Sequence, residues 1–276
     1  MPEPLTSYRH DGLTFRVRDA GPADGPVAIA LHGFPQTSAS WRGVVPPLVA
    51  AGRRVLAPDQ RGYSPGARPR GAAAYRVDRL AGDVLALADA AGAERFDLLG
   101  HDWGGGVAWY LAARHPDRVR TLVAVSTPHP RAMIAALPHG QAVRSAYLGV
   151  FVLPWLPERL FAARDGALTR RLLASLPPAD RDDAVALLTD PDAARGALSW
   201  YRALLHPGAP TPGPVRVPTT YVWSDGDVAL GRYAAAATAA WVQADYRFEV
   251  LPGVSHWIPG ERPAELARLA LERMTG

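Results

Sequence analysis

Gly100-His101-Asp102-Trp103-Gly104 constrains this chain more than any other stretch, because it forces a sharp bend between two regular elements. Phe96, Leu98 and Leu99 lead into it as a strand, and the small-residue run 104–113 leaves it as a helix. The pattern is Gly-x-nucleophile-x-Gly, a strand-to-helix turn that lifts one side chain into a pocket. Glycines flank the turn because a Cβ there would meet strained backbone. Asp102 stands at the tip, a position where serine is common. A serine must lose a proton before it attacks a carbonyl carbon. A carboxylate is already ionised and suits displacement at saturated carbon.

On either side of this bend, short apolar stretches alternate with helical patterns. Residues 13–18, 27–31, 54–57, 96–99 and 120–125 read as strands, and 77–91 carries Leu80, Val84, Leu85, Leu87 and Ala88 at helical spacing. Such alternation predicts a parallel sheet with crossover helices, and ligands at the carboxyl ends of the strands. From 128 to 214 the chain is proline-punctuated and helical, without clear strands. Strand patterns return at 218–223 and 246–251, with helices at 233–242 and 261–273. The expected architecture is one α/β domain, a mostly parallel central sheet with helices on both faces and an inserted helical cap. Its parts are the core at 1–127, the cap at 128–213 and the rest of the core at 214–276. With 276 residues and 48% hydrophobic composition, the chain can bury a large core.

Composition removes several function classes. There is no cysteine, hence no disulfide and no thiolate metal site. His10, His115, His129, His139 and His206 show no ligand spacing, so no metal and no cofactor is expected. All 30 basic residues are arginine, the net charge is only +4, and they are spread without a cluster or interleaved aromatics, which argues against a nucleic-acid partner. No apolar run is long enough to span a bilayer, and the polar first residues lack a signal region, so a cytoplasmic protein without a membrane partner is expected.

Three further segments complete a chemical constellation. His32-Gly33-Phe34-Pro35 follows a strand, and its loop could aim the Phe34 backbone N–H at the same point as that of Trp103. Two such donors make an oxyanion hole, each worth roughly 2.7–4 kcal/mol of transition-state stabilisation. Trp223-Ser224-Asp225-Gly226-Asp227 ends the first strand after the helical stretch, and Gly253-Val254-Ser255-His256-Trp257 follows the last strand. Asp225 is nearer the strand end than Asp227, and one of the two acids is expected to be only a turn former. The order nucleophile, acid, histidine is that of the α/β-hydrolases.

Taken together, these segments resemble the epoxide hydrolase branch of the α/β-hydrolase superfamily, and the resemblance covers almost the whole chain. Its motifs stand here as His32-Gly33-Phe34-Pro35, Asp59-Gln60-Arg61-Gly62-Tyr63-Ser64, Gly100-His101-Asp102-Trp103-Gly104-Gly105 and the late His256. The family's spacing favours Asp227 over Asp225 as the acid. Two tyrosines of the cap are implied to hold the ring oxygen: Tyr147 in Ser145-Ala146-Tyr147, and Tyr201 in Ser199-Trp200-Tyr201-Arg202. A phenol suits this task because its pKa of about 10 leaves it protonated at neutral pH yet able to stabilise an alkoxide. Val152 departs from the family pattern, where glutamine commonly follows the phenylalanine. The implied reaction is attack of Asp102 on an epoxide carbon, then hydrolysis of the ester by water that His256 activates, with Asp227 orienting the imidazole. The implied partners are a small-molecule epoxide and water, and a homodimer stays open. The alternatives are a haloalkane dehalogenase with the same nucleophile, against which Phe34 and the paired tyrosines argue, or a non-catalytic binding protein on this fold. The richness in alanine, glycine, proline and arginine reads as the codon bias of a GC-rich genome, and a role in secondary metabolism fits such a source. Arg61 is expected to pair with a carboxylate, and His32 and His101 to support loops.

Overall fold

The computed structural model describes residues 3–206 and 211–275. Residues 207–210, which fall inside the expected cap at 128–213, lie outside the described residues, as do 1, 2 and 276. Eight strands form one sheet: β1 Ser7–His10, β2 Leu13–Ala20, β3 Val27–Leu31, β4 Arg54–Pro58, β5 Phe96–His101, β6 Val119–Val125, β7 Thr219–Ser224 and β8 Tyr246–Leu251. Their spatial order is β1-β2-β4-β3-β5-β6-β7-β8. The first two join as an antiparallel hairpin and β2 pairs antiparallel with β4; every later pairing is parallel. The mostly parallel sheet expected from the sequence is therefore present. Strand β1 was missed, because four residues with a single buried side chain give no periodic signal.

Strands β3, β5 and β7 are buried along their whole length, as parallel strands covered on both faces must be. The side chains of β3, β5 and β6 divide by the two-residue period. Ile29, Leu31, Leu98 and Leu122 face a core shared with α2 Val77–Ala90 and α3 Trp103–Arg114. Ala28, Ala30, Leu99 and Val123 face another core on the opposite side, with Leu48, Leu266 and Leu269. Leu48 lies on α1 Val45–Ala50.

Between β6 and β7 the chain leaves the sheet, and among the described residues it forms six α-helices: α4 Pro130–Ala135, α5 Gln141–Arg144, α6 Leu148–Phe151, α7 Leu156–Leu172, α8 Pro178–Thr189 and α9 Pro191–Ala203. Helix α7 is broken at 163–166, where Arg164, Asp165 and Gly166 all adopt positive φ. Helix α9 begins as its sequence dictates: the Asp190 carboxylate accepts from the N–H groups of Asp192 and Ala193, and Pro191 occupies the first turn. Its apolar face joins the first core through Ala194, Ala197, Leu198 and Trp200, and the Trp200 indole donates to the Arg61 carbonyl at 2.7 Å. Arg61 forms a fork on Asp83, at 2.8 and 2.7 Å. After β7 come α10 Arg232–Ala237, α11 Ile258–Glu261 and α12 Pro263–Thr275; Pro263 separates the last two where one helix was expected.

Candidate active site

The bend after β5 is tight enough to hold Asp102 at φ +50°, a region that L-residues seldom occupy. The turn is tied down from three sides. Asp102 N–H donates to the Val125 carbonyl at 3.3 Å, and its own carbonyl accepts from Gly106 N–H at 3.1 Å and from the Thr127 hydroxyl at 2.7 Å. Gly104 is required by contact: a Cβ there would collide with the carbonyls of Leu31 and His32. Gly33 is required for the same reason, since a Cβ would strike the Asp102 side chain.

The carboxylate is held by two different environments. Its Oδ1 accepts from the Phe34 backbone N–H at 2.8 Å, and the Trp103 N–H at the start of α3 also donates to the carboxylate. These are the two donors proposed as an oxyanion hole from the sequence. Oδ2 faces His256 Nε2 at 3.4 Å. On the other side of the ring, His256 Nδ1 meets Asp227 Oδ2 at 2.7 Å. Asp227 is buried, and its Oδ1 accepts from the N–H groups of Ala229 and Leu230 at 2.8 and 2.9 Å. Asp225 instead accepts from Gly253 N–H at 2.7 Å and takes no part in the contact with His256.

Electrostatics follow from this line of charges. Burial opposes charge on His256, but Asp227 and Asp102 together outweigh it and push the imidazole up to about 10. Burial alone would raise Asp102; His256, His101 and the Trp103 N–H reverse that and hold it below the usual carboxylate range. His101 is pushed down to about 4 by burial and by the neighbouring His256. It therefore stays neutral and serves as a prop, donating from Nε2 to the His256 carbonyl at 2.9 Å. The Ser126 hydroxyl donates to that same carbonyl at 2.8 Å. His32 is a prop too, accepting from Gln60 N–H at 3.1 Å.

A cavity of about 560 Å³ opens above Asp102 and is lined by both Tyr147 and Tyr201. Tyr201, on α9, is 4% exposed and meets Phe34, Trp103 and Phe151 edge-on at 5.2, 5.0 and 5.1 Å. Tyr147 lies in the turn before α6, 39% exposed, with its ring against Phe151 at 5.2 Å. Burial and then the Asp102 charge raise both phenols above their ordinary pKa, so each is protonated at neutral pH. Val77, Leu80, Val107, Met133 and Leu148 supply apolar wall. Of the polar lining, Tyr75 donates to the Pro69 carbonyl, Arg76 pairs with Asp78, Thr127 donates to the Asp102 carbonyl and Ser145 accepts from Gln141. Among the described residues, no cluster of three His, Asp or Glu could hold a metal, and no helix is long and apolar enough to cross a membrane.

Sequence reading missed the residues that fasten the Asp227 turn from above. Gln141 bonds Ala229 and Gly231, and Arg144 bonds the carbonyls of Asp227 and Val228. No local signal marks them, because their partners lie more than 80 residues away.

Comparison with known proteins identifies the family and the fold. The alpha/beta hydrolase fold family matches residues 26–263. The chain is 36% identical to AB hydrolase superfamily protein YfhM of Bacillus subtilis, over 95% of this chain and 94% of that protein. It is 32% identical to Epoxide hydrolase A of Mycobacterium tuberculosis, over 96% of this chain and 95% of the relative. The crystal structure of Epoxide Hydrolase A from Mycobacterium thermoresistibile superposes with a TM-score of 0.86 at 26% identity, over 100% of this chain and 99% of that one.

Proposed function

The chain belongs to the α/β-hydrolase fold family, in its epoxide hydrolase branch, and from that premise we propose that it opens an epoxide to a vicinal diol through an ester on Asp102. The observation that carries the reading is the division of labour on one carboxylate. Oδ1 accepts from the Phe34 N–H, the Trp103 N–H donates to the same carboxylate, Oδ2 faces His256, and the cavity above Asp102 is lined by two protonated phenols.

In the first step Asp102 Oδ2 attacks a ring carbon and the carbon–oxygen bond breaks. Tyr147 and Tyr201 stabilise the departing oxygen, one of them giving up a proton to it. The product is a hydroxyalkyl ester whose carbonyl oxygen, Oδ1, already lies against the Phe34 N–H, with the Trp103 N–H at the same carboxyl group. Esterification abolishes the Asp102 charge and so removes one of the two carboxylates that keep His256 protonated. The imidazole then falls toward its ordinary range and can take a proton from water, which attacks the ester carbon. Negative charge develops on Oδ1 in the oxyanion hole. On collapse His256 protonates the leaving diol oxygen, and the proton left on the Asp102 carboxyl group by the attacking water returns to the phenolate, restoring both the carboxylate and the phenol. Residues 128–213 act as the cap that carries the phenols. The apolar wall of Val77, Leu80, Val107, Met133 and Leu148 suits an epoxide bearing an apolar substituent.

The two phenols favour this over halide displacement, since a leaving halide needs no proton. A single turnover in heavy-oxygen water tests the reading: the label is expected in Asp102, with the diol receiving an unlabelled oxygen from the carboxylate. Label appearing in the diol with none in Asp102 would exclude the ester. Release of halide from haloalkanes without diol from epoxides would replace the reaction itself.

A further inference from the structure

One buried amide joins the two halves of the site. Gln141, the first residue of α5 and 2% exposed, makes three hydrogen bonds through its side chain. Its Oε1 accepts from Gly231 N–H at 2.9 Å, and its Nε2 donates to the Ala229 carbonyl at 2.8 Å and to the Ser145 hydroxyl at 3.0 Å. Both donor hydrogens of the amide are thus used. On one side, 229–231 is the turn whose N–H groups hold Asp227 Oδ1. On the other, Ser145 begins the turn that carries Tyr147, its carbonyl accepting from Leu148 N–H at 3.0 Å. Arg144 adds two bonds to the same acid turn, on the carbonyls of Asp227 and Val228 at 3.1 and 3.0 Å.

We propose that Gln141 is a positioning residue that registers the Tyr147 turn against the Asp227 turn. The phenol that assists ring opening and the carboxylate that orients the base are then set by one side chain. This inference rests on the epoxide-opening reading above. Deleting the amide leaves the half-buried Gly231 N–H and Ala229 carbonyl without their partner, and both turns must shift to satisfy them.

The test uses Gln141→Met, which keeps the length of the side chain and removes its polar bonds. Gln141→Glu, which keeps the size and the acceptor, serves if the first variant fails to fold. Trp103 and Trp200 line the cavity, so rapid mixing with an epoxide, followed by tryptophan fluorescence, separates ring opening from ester hydrolysis. Both steps are expected to slow, each by roughly tenfold, which corresponds to about 1.4 kcal/mol in each barrier. Tyr147→Phe in contrast is expected to slow only the first. Unchanged rates with a lower melting temperature would make Gln141 a structural strut and overturn the proposal. Hydrogen exchange needs no reaction: the amide protons of Leu230, Gly231 and Leu148 are expected to exchange faster together, by about tenfold or more. Loosening on one side only would also overturn it. If the unaltered protein leaves every epoxide intact, the functional reading fails, and the exchange result still decides whether Gln141 couples the two turns.

Discussion

The two sides of the cavity are built in different ways. On the sheet side, Asp102, Asp227 and His256 leave the ends of strands, and their loops are pinned by bonds such as Thr127 to the Asp102 carbonyl and Ser126 to the His256 carbonyl. On the insertion side, Tyr147 and Tyr201 are placed by aromatic edges around Phe151, and the outer surface is apolar and open. Among the described residues, every exposed large hydrophobic except Val228 and Tyr233 lies within 134–205. Bond-making geometry needs placement to fractions of an ångström, and a backbone ladder supplies it. Covering and recognising an apolar substrate tolerates, and uses, a looser packing.

That contrast can be broken in five ways. The largest effect is expected at the strand end: Asp102→Ala should lower diol formation by roughly 10⁴-fold or more, measured by product chromatography. Substantial residual turnover would move the chemistry off the sheet side. Next, His256→Gln should slow ester hydrolysis by about 10²–10⁴-fold and leave a covalent adduct visible by intact mass. Full turnover without an adduct would refute the base assignment. On the insertion side, Tyr201→Phe should cost ring opening about 10²-fold and spare ester hydrolysis; equal slowing of both steps would mean that the phenol only packs.

The fourth test is a pH dependence. The folded pKa of His256 lies above the unfolded value of about 6.5, so the stability its charge contributes is complete below that pH and is lost as pH rises toward about 10. Denaturant melts should therefore show the unaltered protein losing its margin over His256→Gln across this window. A margin constant with pH would contradict the ion pair with Asp102 and Asp227. The smallest effect is expected at the rim. Ile134→Ser, at a position 59% exposed, should change unfolding free energy by no more than about 0.5 kcal/mol while raising KM for apolar epoxides. A large loss of stability would show that the insertion surface is packed rather than open.

Asp102, Phe34, Asp227 and His256 could be found in the sequence because each lies in a loop directly after a recognisable strand, where fold topology gathers loops from distant segments. Spacing alone left Asp225 and Asp227 in competition. The choice depended on which carboxylate the chain turns inward, and the N–H groups of Ala229 and Leu230 make it. The tyrosines came from resemblance, since an aromatic residue on a helix carries no mark of whether it packs or faces a cavity. Strand β1 and the Gln141 clasp were illegible for a related reason: one is too short for a period, and the other acts only on residues far along the chain.

Sequence by itself determined what is local: the strand–bend–helix at Asp102, the alternation that makes a parallel sheet, the helical interruption, and the chain order of Asp102, the Asp225 and Asp227 pair, and His256. Those features follow from side-chain period, glycine placement and chain order, all readable within a few neighbouring residues. Tertiary structure alone decided which aspartate meets the imidazole, that one oxygen of Asp102 lies on the Phe34 N–H while the other faces His256, and that an amide on the insertion grips the acid turn. Each is a contact between segments tens of residues apart, fixed by burial and hydrogen-bond saturation once the insertion has docked.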